Sequence, residues 1–180
     1  MLPTLGTLHT LPAVERSDLL AEPVATALAA WEHRDAVAVV EIDPALADTA
    51  ALTAAYSLPM TASANCVVVA GRRSGGERIA ACVVRADTRA DVNNVVKRAL
   101  DVRKASFLPT ERAVAETDME HGGITPLGLP RSWRLLISEE AARIDVAIIG
   151  SGVRRSKLLL PGALLAQLPQ AEVVTDLALR

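Results

Sequence analysis

The stretch NCVVVAGRRSGGERIAACVVR, from Asn65 to Arg85, decides the fold. Asn65 to Gly71 is an apolar run rich in β-branched residues, which favours an extended chain. Arg72-Arg73-Ser74-Gly75-Gly76 then supplies the glycine and charge of a turn. Glu77 to Arg85 returns as a second apolar run. Two strands so closely joined predict an antiparallel hairpin centred near Ser74. That hairpin brings Cys66 and Cys82 near each other across the pair. Two buried thiols are expected there rather than a functional disulfide.

Upstream, Glu22-Pro23 opens a helix that continues to about Trp31. AVAVVEI, Ala36 to Ile42, reads as a strand. Asp43-Pro44 offers an N-cap with proline behind it, for a helix running to about Tyr56. Downstream, Asp87 or Thr88 can cap a helix whose apolar residues Val92, Val95, Val96, Ala99 and Leu100 recur at helical spacing, with Lys97 and Arg98 on its polar side. Val102 to Phe107 reads as a strand, and Thr110 to about Thr117 as a short helix. RLLIS, IDVAIIG and the KLLL run are further strands, PGALLAQL is a short helix, and AEVVT is a last strand. An early hairpin and a late strand cluster break strict βαβ alternation. The fold class expected is therefore α/β: a single mixed-sheet domain with packed helices. The division expected is an N-terminal helical extension over residues 1–35 and one domain over residues 36–180.

The 180 residues suit one domain, and with 51% of them apolar the chain can bury a sizeable core. Two cysteines are too few for a disulfide framework, and His9, His33 and His121 show no metal-ligand spacing, so no metal is expected. No apolar run approaches the roughly 20 residues of a membrane span, and the start MLPTLGTLHT lacks a basic n-region, so a cytoplasmic location without a membrane partner is expected. Neither a GxGxxG motif after a strand nor a P-loop is present, which argues against a nucleotide cofactor; none is expected. The net charge is −2, yet Cys66 to Lys157 holds 16 basic against 11 acidic side chains. One basic face on a mildly acidic protein suits an RNA partner, although a solvated mixed-charge surface explains the same numbers.

The segment with most chemical content is Gly122-Gly123-Ile124-Thr125-Pro126-Leu127-Gly128. Adjacent glycines let backbone approach a ligand and adopt positive φ, and Pro126 stiffens the loop. By composition alone it reads as a connection. His121, just before it, invites a general-base reading that no neighbouring carboxylate or nucleophile at a telling spacing supports. Cys66 reads as a buried strand residue rather than a nucleophile.

GGITPLG resembles the GGxxP loop of the YbaK and prolyl-tRNA-editing family. EIDPALADTAALTAAYSL, SANCVVVAG, DVNNVVKRALDVRKASF and IGSGVRRSKLLLPGALLAQL resemble that family's other segments in the same order, so the resemblance covers roughly Ala36 to Leu177. It implies a trans-editing aminoacyl-tRNA deacylase, an ester hydrolase acting on mischarged tRNA, with tRNA-Pro carrying cysteine or alanine as the family default. An aminoacyl-tRNA synthetase is an implied partner. It also implies a metal-free mechanism in which the loop backbone positions the ester and the ribose 2′-hydroxyl helps activate water. The implied site residues are Gly122, Gly123 and Pro126 as the catalytic loop. Thr125, and Ser151 and Gly152 on a second small-residue loop, are implied to border the substrate. Relatives carry a lysine where this chain has Asn65, which keeps hydrogen-bonding capacity and loses charge. Lys104 is the first candidate to replace that cation, with Lys97, Arg98, Arg154 and Arg155 as candidate phosphate contacts. The other reading is a non-catalytic module that kept the pocket, lost the lysine, and binds tRNA, a synthetase or a small molecule.

Overall fold

The computed structural model describes residues 1–180. Its elements, in chain order, are β1 (Leu11–Pro12), α1 (Glu22–Ala30), β2 (Ala38–Glu41), α2 (Thr49–Tyr56), β3 (Ala64–Arg73), β4 (Gly76–Arg85), β5 (Arg89–Ala90), a π-helical stretch (Val92–Val96) leading into α3 (Lys97–Ala99), β6 (Ala105–Phe107), α4 (Thr110–Thr117), β7 (Arg134–Ser138), α5 (Glu139–Ala142), β8 (Ala147–Gly150), β9 (Ser156–Leu160), a 3-10 helix (Gly162–Gln167), β10 (Ala171–Val174) and β11 (Ala178–Leu179). A five-stranded mixed sheet runs β10-β7-β4-β3-β6. A four-stranded antiparallel sheet runs β1-β2-β9-β8, and β11 pairs with β5. In the larger sheet β10, β7 and β4 are mutually parallel, whereas β3 is antiparallel to both β4 and β6. A parallel bridge between Ser63 and Ile148 ties the two sheets together.

The expected hairpin forms, with Arg73 paired to Gly76 around a tight Ser74-Gly75 turn. Both turn residues have positive φ, 50° at Ser74 and 78° at Gly75, which suits the right-handed twist of the strands they join. The register pairs Cys66 with Val83, and Val67 with Cys82. Directly opposed residues share a face and successive residues alternate, so the two thiols point to opposite sides of the sheet.

Both sheets are covered on both faces, which explains why their strands are apolar runs rather than alternations. Between the sheets, Val68, Val83, Leu135 and Ile137 meet Val39, Ile149, Leu158 and Leu160 in the main core. The outer face of the five-stranded sheet, including Val69, Cys82 and Leu136, packs under Val95, Val96 and Leu100. The outer face of the four-stranded sheet, including Val40, Ile148 and Leu159, packs under Leu52 of α2. Each fully buried leucine contributes about 1.5–3 kcal/mol relative to exposure. The first 35 residues join the same core: Leu19, Leu20, Val24, Leu28 and Trp31 are all buried in it, and β1 pairs with β2.

Two helix starts differ from the sequence expectation. Asp43 accepts from Ala45 N at 2.9 Å but caps only a 3-10 turn, Pro44–Leu46, and α2 begins afresh at Thr49. Asp87 pairs with Arg85, and Thr88 donates to Arg85 O at 2.7 Å, so both are consumed in closing the chain after β4. Asp91 is the cap instead, accepting from Asn94 N at 3.1 Å.

Candidate functional site

The restart of the chain at Thr49 places Asp48 and Thr49 at the edge of a cavity of about 420 Å³. Its walls come from Ala64 to Val68 of β3, from Phe107 and Leu108, from His121, Gly122 and Ile124 of the glycine loop, and from Gly150 and Lys157. Segments more than 100 residues apart in sequence thus meet around one space.

The glycine loop is held there by backbone. Gly152 N donates to Gly123 O at 2.8 Å, Glu120 N donates to Gly152 O at 2.8 Å, and Gly123 N donates to Glu120 O at 2.9 Å. Glu120 Oε2 also accepts from Arg154 N at 2.6 Å. These bonds lock the loop to the Ser151–Arg154 segment. The two glycines then do different things. Gly122 lines the cavity with φ +81°, and a Cβ there would crowd the flexible end of Arg154, with Asp48 Oδ1 at ordinary contact distance of 3.9 Å. Gly123 is buried and faces away from the cavity, and a Cβ there would stand 2.8 Å from Val153 N. Its role in this structure is close backbone packing.

The remaining expected site residues fall in different places. Asn65 lines the cavity, its Oδ1 accepting from Thr49 Oγ1 at 3.1 Å. Thr125 is fully buried, and its hydroxyl has no hydrogen-bond partner. Pro126 lines a separate depression with Trp31, Leu127 and Trp133. Ser151 is fully buried behind the loop, its Oγ 3.0 Å from Ser156 O and 2.7 Å from Ser156 Oγ. Gly152 is buried against Ala21 and Val24. Lys104 lines a neighbouring depression with Arg72, Arg103 and Arg112, which meets the main cavity at Phe107 and Leu108. Arg154 spans the rim, donating to His121 O at 3.2 Å and Pro44 O at 3.1 Å, and Arg155 bonds to Asp18 O.

The sequence reading missed Lys157. It opens a run of buried leucines in β9 and is itself only 8% exposed. Its Nζ lies 3.5 Å from Gly122 O, and no carboxylate comes within ion-pairing distance. Burial pushes its pKa down to about 8, helped by the nearby Arg154 charge and opposed by Asp48. The signal in the sequence was a lone lysine inside a strand-like apolar run. Cys66 also lines the cavity, but burial pushes its thiol well above the ordinary range, so it is no thiolate nucleophile. The His121 imidazole sits at the rim and makes no hydrogen bond. No group of three or more His, Cys, Asp or Glu side chains is placed to hold a metal ion.

The segments that enclose this cavity are the ones a known family model spans. Residues 43–168 match the aminoacyl-tRNA editing domain. The chain belongs to that family. Solved structures agree on the fold of this editing domain. One, described as a proposed trans-editing enzyme for prolyl-tRNA synthetase, superposes with a TM-score of 0.72 at 18% identity, over 86% of this chain and 94% of that one. The hypothetical protein APE2540 gives 0.68 at 18% identity, over 78% and 90%. A scaffold used for epitope grafting by computational design gives 0.70 at 18% identity. At such identities the likeness establishes the mixed α/β architecture and not the substrate. No curated protein sequence matches the chain. No helix of the editing domain is long and apolar enough to cross a membrane.

Proposed function

We propose that the protein is a trans-acting deacylase that hydrolyses the ester of a mischarged aminoacyl-tRNA in the cytoplasm. The observation that supports this is the single cavity at which β3, the Gly122-Gly123 loop and Lys157 meet, inside the segment matched to the editing family. About 420 Å³ suits an aminoacyl group with part of its ribose. Val67, Val68, Leu108, Ala113 and Ile124 make the wall largely aliphatic, which suits a small apolar side chain such as that of alanine or cysteine. Water adds to the ester carbonyl carbon, and the bond to the ribose oxygen breaks. That oxygen takes the proton the water loses, releasing free amino acid and intact tRNA. An aminoacyl ester is reactive, so positioning and electrostatic stabilisation can carry the rate. In this reading Gly122 presents backbone to the ester. Gly123, Ser151 and Gly152 hold that backbone in place, with Pro126 stiffening the loop and Thr125 beside it. The RNA reaches the cavity across Phe107, 61% exposed, and the Arg72, Arg103 and Lys104 side chains, which form no ion pair.

Asn65 favours a second reading, a binding module that kept the pocket without turnover. A panel of mischarged tRNAs, including tRNA-Pro carrying alanine or cysteine, separates the two. Release of a small amino acid from at least one of them supports the deacylase. Binding of tRNA without release from any of them supports the module.

A further inference from the structure

We infer that Lys157 is the cation that stabilises the reacting ester in this cavity, acting from β9 across the space where position 65 on β3 offers only a neutral amide. The inference rests on the deacylase reading and assigns the residue that reading leaves open.

Three observations on the structure carry it. First, among the residues lining the cavity Lys157 is the only lysine or arginine, and Asn65 lines the same space. Second, the lysine is buried between Ser156 and Leu158, both fully inaccessible, without an ion-pair partner. An unpaired buried ammonium is costly, and a methionine of similar length would fit the strand at no such cost. A group kept against stability marks a functional position. Third, its one hydrogen bond, to Gly122 O, is long at 3.5 Å, which leaves the other ammonium donors for a ligand beside the glycine loop.

The chemistry is specific. When water adds to the ester carbonyl, the carbonyl oxygen becomes an oxyanion, and the Lys157 ammonium stabilises it while keeping its own proton. The leaving ribose oxygen takes its proton from the attacking water. The charged form is thus the working form. The groups facing it are Asp48 at the start of α2, which favours the charge, and Arg154 from the adjoining loop, which opposes it. His121 stands on the rim and the Cys66 thiol on β3 stays protonated. With the pKa lowered to about 8, the ammonium is lost as pH rises past that value.

The test uses the full chain with tRNA-Pro charged with alanine or cysteine, and the wider panel of mischarged tRNAs if neither is hydrolysed. Lys157→Met is expected to lower kcat by about 100-fold, in the range found for removing one oxyanion donor, while changing KM less than threefold. Its Tm is expected to rise, because the uncompensated charge is gone. Adding Asn65→Lys to Lys157→Met returns a cation to the same cavity and is expected to restore at least tenfold of the loss. Three outcomes overturn the inference. A Lys157→Met protein within threefold of wild-type kcat removes the lysine from the chemistry while the deacylase reading stands. A lowered Tm with no rescue by Asn65→Lys makes the lysine a structural tie to the glycine loop. A wild-type protein inactive on every mischarged tRNA fails the deacylase reading first, and this inference with it.

Discussion

Gly123 packs against the backbone of Val153: a side chain on the glycine would stand 2.8 Å from the Val153 amide nitrogen, and Gly123 O accepts from Gly152 N at 2.8 Å. The loop that sequence reading treats as an open ligand surface is, at this residue, an interior seam. Gly123→Val should therefore unfold or strongly destabilise the protein, by about 3 kcal/mol or more, since neither backbone can yield cheaply. Gly122→Ala crowds the movable Arg154 guanidinium, reaches Asp48 at ordinary contact distance and takes on a positive φ, and should cost about 1–2 kcal/mol. Thermal unfolding of the pair checks this. A Gly123→Val protein as stable as Gly122→Ala would refute the seam.

Lys157 should leave its mark on stability as a function of pH. Its folded pKa, about 8, lies below the ordinary 10.5, so between those values the unfolded chain binds the extra proton. The burial penalty is present in full below about pH 8 and is relieved as pH rises through 10.5. Wild-type stability should gain up to about 3 kcal/mol over that window from this group alone. Lys157→Met should lack this gain. Denaturant midpoints at pH 7 and pH 10 for both proteins measure it, and parallel pH curves would contradict it.

The exposed Phe107 and its three unpaired cations should govern RNA affinity rather than chemistry. Lys104→Ala should weaken tRNA binding more than Arg16→Ala, whose guanidinium is already paired with Asp18. It should also reduce the slope of log affinity against log salt by about one unit. Phe107→Ala should weaken binding by about tenfold through lost base stacking. Fluorescence titrations at two or more salt concentrations read both. Equal effects at Lys104 and Arg16 would remove Lys104 from the RNA path.

Cys66 and Cys82 should stay reduced and slow to react. The register sets them on opposite faces of the hairpin, and burial raises both thiol pKa values. Alkylation of the native protein at pH 8 should proceed at least tenfold more slowly than in denaturant, with no intramolecular disulfide after mild oxidation. Mass spectrometry of the oxidised protein decides the second point.

The sequence by itself determined the hairpin at Ser74, the alternation of strands and helices, and the aliphatic core, because each rests on periodicity and turn chemistry within a few residues. The ordered segments from Ala36 to Leu177 also carried the family. What lay beyond it was the occupancy of the site. Nothing local distinguishes Gly122, which borders the cavity, from Gly123, which borders Val153. That difference follows from which way a loop turns when it docks on another segment 30 residues on. The one local trace of Lys157 is a lone lysine at the head of a leucine run, which by itself reads equally as a strand end. Its meaning comes from pairing with Val40 and Gly150 in one sheet and from sharing a cavity with Asn65 in the other. Local propensity is written into short stretches of chain. The burial of a charge, and the cavity it faces, come into being only when distant strands close around it.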